Sequence, residues 1–322
     1  MAPLYSILLP VYNGERYLRT SIESVLSQSL REFELVICDD ASTDTSAAIV
    51  AGYADSRIRL LTNSANRGLF PTLNRLVSES TGDYLRFWAQ DDIMRGDCLE
   101  AERRLWERHP EIELLYCAVD IIKEPGSVRV PFAGDPTPEV IPPWLSDQIS
   151  FYHGCMQGNI STVSVRRSTL SAAGSFGSMR FAGDFEMWLR ISSRYPIGFL
   201  REPVVTLRSH EEQLSKQPGE WRTYINETRP IFKSLLERLP QELQAYARSF
   251  ERRRRGVAQV QYLMRLLVTK RFAEARDMFR ELRAVENTPG LLLLWVGTLS
   301  GRLARPSARY FDPAVGHEIS LS

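Results

Sequence analysis

The chain has 322 residues, of which 43% are hydrophobic and 25% are charged, and its formal net charge is +1. This length and composition are typical of a soluble globular protein with a substantial core, built as one large domain or as one domain with a smaller appendage. A nearly neutral chain has no global attraction for nucleic acid or for an anionic membrane, so we expect no nucleic-acid partner.

The first 120 residues alternate short apolar runs with helical patterns. The apolar runs are Tyr5–Val11, Phe33–Cys38, Ile58–Leu61, Tyr84–Trp88 and Leu114–Val119. The helical patterns between them are Tyr17–Gln28, Thr43–Ala54, Phe70–Ser80 and Gly96–Arg108. In the first predicted helix, Leu18, Ile22 and Val25 recur at helical spacing. Buried strands that alternate with helices predict an α/β fold with a mostly parallel central sheet.

The pattern changes after residue 120. Residues 120–160 contain six prolines with interspersed glycines, which predicts long surface loops. A strand over Ser161–Arg166, a helix over Phe185–Ser193 and a strand over Val204–Arg208 follow. Beyond Glu220 the pattern predicts only helices, which are Arg222–Arg238, Gln241–Arg255, Val257–Lys270 and Phe272–Ala284. We therefore divide the chain into an α/β domain, residues 1–215, and a C-terminal helical appendage, residues 216–322.

Polar side chains follow four of the predicted strands, at the edge of the sheet where ligands bind in open α/β folds. These segments are Tyr12-Asn13, Asp39-Asp40, Asn66-Arg67 and Gln90-Asp91-Asp92. The sequence has neither the G-x-G-x-x-G loop of a dinucleotide-binding domain nor the Gly-rich Lys-Ser/Thr loop of a P-loop protein. A bound diphosphate would then need another source of positive charge, and a divalent cation held by a carboxylate supplies it.

Six short fragments occur in order along residues 4–215. They are Pro10-Val11-Tyr12-Asn13, Asp39-Asp40-Ala41-Ser42-Thr43-Asp44, Asn66-Arg67-Gly68, Gly82-Asp83-Tyr84, Gln90-Asp91-Asp92 and Gly183-Asp184-Phe185-Glu186-Met187-Trp188-Leu189. Together they resemble the signature of glycosyltransferase family 2, whose catalytic domain has the GT-A fold. The resemblance implies an inverting enzyme that moves a sugar from a nucleoside-diphosphate sugar, most often a UDP-sugar, to an acceptor hydroxyl. A saccharide or lipid-linked saccharide acceptor in cell-surface polysaccharide or glycan assembly is implied with it.

The resemblance assigns donor-binding roles to five residues. Asp39 and Asp40 match the Asp-Asp pair that contacts the nucleoside base and ribose, and a carboxylate accepts hydrogen bonds from both groups. Pro10 and Tyr12 match the lining of the base pocket, and Arg67 is placed near the base or a phosphate. The residues themselves leave simpler roles open, because Asp40 can cap the following helix, Pro10 can end a strand, and Arg67 can be an ordinary surface arginine.

The resemblance also implies a metal site for Mn²⁺ or Mg²⁺. Asp91 matches the last acid of the family's Asp-x-Asp region, which ligates the metal and through it the donor diphosphate, with Asp92 in support. Ala89 stands where that region usually has its first acid, which is a departure from the family pattern. His210 matches a late segment in which a histidine reaches the metal or the diphosphate. A helix-capping role for Asp91 and Asp92 and an unremarkable role for His210 stay open.

Asp184 matches the acidic residue expected to be the general base. Such a base is needed because an acceptor hydroxyl is a poor nucleophile at neutral pH, and a carboxylate within hydrogen-bond reach can take its proton. Gly183 stands where the family usually has a first acid, which is a second departure. The alternative is that Asp184 is the N-cap of the helix that follows it.

The two departures leave other functions open. One is a nucleotide-sugar-binding module with impaired catalysis, and another is a nucleotidyltransferase, which the absence of a Gly-rich N-terminal loop disfavours. Scattered cysteines and a start without a leader pattern favour the cytoplasm. The basic run Arg252–Arg255 and the apolar segment Gly290–Leu299 fit peripheral contact with the inner face of the membrane, or a solvated helix face and a packing helix.

Overall fold

A computed structural model describes residues 3–124, 128–130, 137–211, 213, 221–285, 288–299 and 307–320. The chain divides into two compact units, one up to Leu235 and one over Leu236–Ser320. This division lies about 20 residues beyond the domain boundary at 215 suggested by the motifs. The assignment of residues 1–215 as the catalytic domain remains a prediction.

The described part of the first unit contains a sheet of ten strands. The strands are β1 (Tyr5–Val11), β2 (Phe33–Asp39), β3 (Ile58–Thr62), β4 (Tyr84–Phe87), β5 (Ile93–Met94), β6 (Leu114–Lys123), β7 (Val128–Val130), β8 (Val140–Ile141), β9 (Val163–Arg166) and β10 (Ile197–Ser209). Their order is β3-β2-β1-β4-β9-β6-β10-β5, with β7 beside β6 and β8 beside β10. Strands β3, β2, β1 and β4 run parallel, as do β6 and β10, whereas β9 is antiparallel to both neighbours. The predicted α/β class with a mostly parallel sheet is confirmed.

Helices connect the strands of this sheet. They are α1 (Glu15–Leu26), α2 (Ser46–Ala51), α3 (Leu69–Glu79), α4 (Cys98–Arg108), α5 (Pro143–His153), α6 (Arg167–Ala173), α7 (Gly183–Ser192) and α8 (Trp221–Arg238). Leu18, Ile22 and Val25 on α1 are fully buried in the hydrophobic core that also includes residues of β1 and α4, as their spacing predicts. Parallel strands joined in this way place the carboxyl ends of β1, β2, β3 and β4 at one edge of the sheet.

A buried ion pair joins the sheet to α4. Arg86 on β4 lies 2.9 Å from the Glu102 carboxylate, and both side chains are completely buried. Ser164 on β9 donates a hydrogen bond of 2.6 Å to Glu102, and Arg86 donates to the carbonyl of Val163 at 3.0 Å. Because each charge has its partner and further hydrogen bonds, the pair ties β4, β9 and α4 together without leaving an isolated charge in the core.

The prediction of long loops over 120–160 is wrong in part. Strand β6 continues to Lys123, and α5 occupies 143–153. Pro142 is extended and Pro143 is the first residue of α5, where a missing N–H removes no helical hydrogen bond. Residues Leu145–Tyr152 of α5 are all buried, the polar ones included, so this stretch has no solvent-exposed face and produces no amphipathic period in the sequence.

The second unit is not wholly helical, which corrects the prediction for its end. Helix α9 (Gln241–Val268) runs unbroken through Gly256, where two helices were expected, and it packs against α10 (Phe272–Val285) and α11 (Thr288–Leu299). Strands β11 (Tyr310–Asp312) and β12 (His317–Ile319) form an antiparallel hairpin. Its turn contains Gly316 at a φ of 74°, and the Asp312 side chain accepts from the N–H of Ala314 at 2.8 Å.

Helix α11 covers 12 residues, of which most are apolar. This is too short for the hydrocarbon core of a bilayer, which needs about 20 residues. Throughout the residues that the structure describes, no helix combines the length and the hydropathy that a membrane span requires.

Candidate active site

The loops that follow β1 and β2 are tied together by reciprocal hydrogen bonds. The N–H of Asn13 donates to Ser42 at 3.0 Å, and the Asn13 side chain accepts from the N–H of Thr43 at 2.8 Å. The Asp44 carboxylate accepts from the N–H of Glu15, in the first turn of α1, and from the N–H of Ser46, in the first turn of α2. These hydrogen bonds lower the pKa of Asp44. The Asp39–Asp44 segment therefore folds as one rigid rim beside the end of β1.

Asp39 lies at the end of β2, in register with Val11 of β1, and is almost completely buried. Its Oδ2 accepts from the N–H of Ser42 at 3.3 Å. Its Oδ1 is buried and, among the described residues, has no hydrogen-bond partner. A buried carboxylate oxygen without a donor is costly, so this atom is suited to a donor group that a ligand brings.

Asp40 is committed to the loop before α3. It accepts from the Asn63 side chain at 2.6 Å, from the N–H of Arg67 at 3.0 Å and from the N–H of Gly68 at 2.9 Å. Asp40 therefore shapes the Asn66-Arg67-Gly68 fragment at the N-terminus of α3, and it does not cap α2. The Arg67 side chain is exposed, so that its guanidinium is free to meet a ligand at this rim.

The Pro10–Gly14 segment is held by Gln90. The Gln90 side chain accepts from the N–H of Tyr12 at 2.9 Å and donates to the Tyr12 carbonyl at 3.0 Å, while the Tyr12 ring is 43% exposed. A Cβ on Gly14 would lie 2.5 Å from Gln90 Oε1, which explains the glycine. Pro10 lies beyond Leu8, the last β1 residue paired with β4, so its missing N–H removes no ladder bond to β4.

Asp91 and His210 are in contact, although 119 positions separate them in sequence. His210 Nε2 lies 3.0 Å from Asp91 Oδ2, and the His210 ring packs on Tyr17, with 4.9 Å between ring centroids. A carboxylate oxygen and an imidazole nitrogen at this distance are ligand types that suit Mn²⁺. Within the described ranges no third His, Cys, Asp or Glu joins them, so the remaining ligands would come from donor phosphates and water.

Asp92 helps to hold the Asp91 segment in place. It is buried, and its Oδ1 accepts from the N–H of Arg208 on β10 at 2.9 Å. Burial, with the neighbouring Asp91 carboxylate, raises the pKa of Asp92 to about 7. Asp91 and Asp92 lead into β5 and not into a helix, so the helix-capping alternative for this pair is wrong. Arg208 also pairs with Glu124 at 2.8 Å, which fixes the end of β10 close to Asp91.

Asp184 is the second residue of α7, and Ala182 is the N-cap, so the N-cap alternative for Asp184 is wrong. Its Oδ1 accepts from the N–H of Phe185 at 2.7 Å. Burial, with a smaller contribution from the Glu227 carboxylate, raises the pKa of Asp184 to about 6. A carboxylate with such a pKa is ionised at neutral pH and basic enough to accept a proton from a hydroxyl.

Gly183 is a glycine for a steric reason. A Cβ at this position would lie 2.6 Å from Cε2 of Phe70 and 2.8 Å from two more carbons of the same ring. Phe70 is itself buried and stacks on Phe176, with 5.5 Å between ring centroids. The Phe70 ring thus fills the space that an acidic side chain would need in the first position of the motif.

The predicted residues form two groups. One group lies at the carboxyl ends of the strands and consists of Tyr12, Asp39, Asp91 and His210. Within this group, Gln90 links the Tyr12 segment to the Asp91 segment. Asp184 has no hydrogen bond to Asp91 within the described residues; it lies near Cys155, on the segment that leads to Ser161. Ser161 accepts from the N–H of Ala89 at 3.0 Å, so that segment connects the two groups.

Three residues that contribute to the site were not predicted from the sequence. Gln90 stands inside a recognised fragment, and its position directly before the acidic pair is a signal that could have revealed it. Ser161 was only the start of a predicted strand. Glu227 lies on α8, outside every fragment, and no pattern in the sequence connects it with Asp184.

Comparisons with known proteins agree with this geometry. The model of the family described as glycosyl transferase family 2 matches residues 6–161. EpsE of Bacillus subtilis, which is named as a glycosyltransferase, is 32% identical over 222 residues, covering 67% of this chain and 76% of its own. An Escherichia coli enzyme, UDP-Glc:alpha-D-GlcNAc-diphosphoundecaprenol beta-1,3-glucosyltransferase WfgD, is 35% identical over 119 residues, covering 37% of this chain and 47% of its own.

Solved structures share the fold. TarS of S. aureus in complex with UDP-GlcNAc has a TM-score of 0.61 at 19% identity, over 77% of this chain and 69% of that chain. The mannosyltransferase PcManGT of Pyrobaculum calidifontis, in complex with GDP-Man and Mn²⁺, has a TM-score of 0.53 at 14% identity, over 94% and 81% of the two chains. These structures confirm the GT-A-like architecture. The family match and the similarity to EpsE thus show that the chain belongs to glycosyltransferase family 2.

Proposed function

We propose that this glycosyltransferase inverts the anomeric configuration, with Asp184 as its general base. The observation that carries the proposal is the Asp184 carboxylate at the start of α7, which accepts from the adjacent Phe185 N–H and whose pKa is raised by burial to about 6. Asp184 takes the proton of the acceptor hydroxyl while the oxygen attacks the anomeric carbon. The bond to the nucleoside diphosphate breaks on the opposite face, so one displacement inverts the centre.

The donor is proposed to lie along the rim formed by the β1 and β2 loops. The partnerless Oδ1 of Asp39 is suited to an N–H of the base or a ribose hydroxyl, and the exposed Tyr12 ring offers a face for stacking. Pro10 would line this pocket and Asp40 would shape it through the Arg67 loop. A UDP-sugar is the proposed donor, since TarS, with the same fold, was crystallised with UDP-GlcNAc.

A divalent metal, Mn²⁺ or Mg²⁺, is proposed at Asp91 and His210. Their 3.0 Å contact supports the proposal, because one carboxylate and one imidazole converge next to the donor rim. When bound, such a cation offsets the charge that develops on the leaving diphosphate. Asp92 and Arg208 would hold the Asp91 segment in place for this role.

The acceptor is proposed to be a saccharide, or a saccharide linked to a lipid diphosphate as in the name of WfgD. Residues 236–320 contain 15 basic and 9 acidic side chains, a formal charge of +6 in a chain whose total is +1. In the same unit, Val268, Phe272 and Leu293 are among the most exposed apolar side chains. Basic charge with exposed apolar groups fits peripheral binding at the inner face of an anionic membrane, and hence a cytoplasmic location.

The test of the proposal is the Asp184→Asn variant. We expect it to lose transfer while its thermal shift with the donor matches that of the wild type, because Asn cannot accept the proton but keeps the shape of the side chain. Asp277→Asn is the control, since Asp277 makes only an exposed ion pair with Arg280 among the described contacts. Full activity of Asp184→Asn would remove Asp184 from this role.

The donor is identified by a panel of UDP-, GDP-, dTDP- and CDP-sugars, each with and without Mn²⁺, in the same thermal-shift assay. The released product separates the remaining alternatives. A free nucleoside diphosphate supports glycosyl transfer, pyrophosphate supports a nucleotidyltransferase, and donor binding without turnover supports an impaired module, for which the residues Ala89 and Gly183 are the specific reason.

A further inference from the structure

The Glu227 carboxylate on α8 binds three consecutive backbone N–H groups just before α7, the helix that carries Asp184. Glu227 accepts from the N–H of Arg180 at 2.6 Å, of Phe181 at 2.8 Å and of Ala182 at 3.0 Å. Hydrogen bonds from backbone N–H groups to a carboxylate are charge-assisted and stronger than neutral ones. Glu227 is therefore a firm anchor for the 180–182 segment.

The anchored segment leads directly into α7. Ala182 is the N-cap of α7 and its own side chain makes no capping hydrogen bond, and Asp184 lies two residues further on. A helix begins with amide groups that have no partner in the helix, and a negative charge near them is favourable. Glu227 accepts from the N–H of the N-cap residue Ala182 and places a negative charge next to the start of α7.

The position of Glu227 is fixed by the core of the first unit. On the same helix, Phe232 lies 5.8 Å from Phe185 of α7 and 6.4 Å from Phe151 of α5, measured between ring centroids. Phe232 and Leu235 are both buried. The apolar side chains of this part of α8 pack on α7, and this packing holds Glu227 close to the three amides. Little side-chain entropy is therefore lost when Glu227 binds them.

We propose that Glu227 is a positioning residue of the glycosyltransferase, one that holds the N-terminus of α7 and thereby orients the Asp184 carboxylate toward the acceptor hydroxyl. This inference rests on the proposed role of Asp184 as the base. The proposal makes α8 part of the active site, although α8 follows the last fragment that resembles the family. A misplacement of a catalytic group by about 1 Å can cost about 100-fold in rate, so the anchor matters for catalysis.

The charges near Asp184 give this proposal a second readout. Among the described residues, the ionisable groups that interact with Asp184 are Glu227 on α8 and Cys155 on the segment before Ser161. The Glu227 carboxylate raises the pKa of Asp184, so its neutralisation lowers that pKa. Activity needs ionised Asp184, and the acid limb of the kcat profile should consequently move to lower pH when Glu227 loses its charge.

The experiment compares Glu227→Gln, Glu227→Asp and the wild type in initial-rate assays at saturating acceptor over pH 5–8. For Glu227→Gln we expect kcat to fall about 10- to 100-fold with the donor KM unchanged, and the acid limb to lie at lower pH. Glu227→Asp keeps the charge, so its acid limb should stay at the wild-type pH and its kcat should exceed that of Glu227→Gln. Glu107→Gln, which removes an exposed carboxylate on α4, is the control and should behave as the wild type.

Two outcomes overturn the proposal. The first is wild-type kcat and an unmoved acid limb in Glu227→Gln. The second is a lower kcat with an unmoved acid limb, which would assign Glu227 to the fold alone; rates are taken below the onset of unfolding of each variant so that the two cases stay separate. If Asp184→Asn is as active as the wild type, the proposed base is wrong, and this result is independent of Glu227.

Discussion

The contact between Gly183 and Phe70 predicts how the chain responds to a single methyl group. In Gly183→Ala the new Cβ would lie 2.6 Å from one ring carbon and 2.8 Å from two others. Relaxed carbon–carbon contacts are about 3.5–4.0 Å, so the overlap is about 1 Å. Overpacking of a rigid core costs about 1–3 kcal/mol. Since Gly183 is the first residue of α7, the helical preference for alanine offsets little of this cost.

The predicted change is measurable by thermal unfolding. A loss of about 2 kcal/mol lowers the midpoint by about 4–8 °C in a domain of this size. Gly177→Ala is the matched control, because a Cβ there meets no atom within 4 Å; its midpoint should stay at that of the wild type. The double variant Gly183→Ala/Phe70→Leu should lose less than the sum of the single losses, because leucine vacates part of the space.

A wild-type unfolding midpoint for Gly183→Ala would refute this reasoning, and so would strict additivity in the double variant. Either result would mean that the Phe70 ring does not occupy the space beside residue 183. The absence of an acid at Gly183 would then have no steric explanation.

Four further predictions concern the carboxylates and the metal. The kcat of the wild type should rise about 10-fold per pH unit below the pKa of about 6 of Asp184 and level off above it, because only the ionised form accepts a proton; a pH–rate profile measures this. Glu102→Gln should lower the free energy of unfolding by about 3–5 kcal/mol in urea titrations, because it leaves the buried guanidinium of Arg86 without its counter-charge. Asp39→Asn should weaken donor binding about 10-fold in calorimetry, and an unchanged donor affinity would contradict its role in donor binding. His210→Gln should raise the Mn²⁺ concentration for half-maximal activity about 10-fold or more, and an unchanged concentration would contradict its role as a metal ligand.

The sequence predicts the elements whose burial leaves a clear pattern. Helices α1, α3 and α4 have a helical period because each buries one face. Strands β1 and β2 are buried on both faces and appear in the sequence as continuous apolar runs. Helix α5 is buried on all sides over Leu145–Tyr152 and therefore has no such period. The β11–β12 hairpin was missed because strands of three residues are too short to show alternation.

The residues of the candidate site also differ in how far the sequence predicts them. Asp39, Asp91 and the Tyr12 segment could be located from the sequence because ligands gather at the carboxyl ends of parallel strands. The contact of Asp91 with His210 could be inferred only through the family resemblance, since the two residues are far apart in the chain. Glu227 could not be inferred at all, because its function depends on where the packing of Phe232 places α8.

The two departures from the family motifs have different physical meanings. Ala89 contributes its backbone, since its N–H donates to Ser161 and its carbonyl accepts from Ser21, and neither bond depends on the side chain. At Gly183 the ring of Phe70 takes the space, and the negative charge near the start of α7 comes instead from Glu227. An acid is missing from each motif, but Asp91 keeps its histidine partner and Asp184 keeps a raised pKa. This retention of the proposed metal ligand and the proposed base favours a working transferase over an impaired binding module.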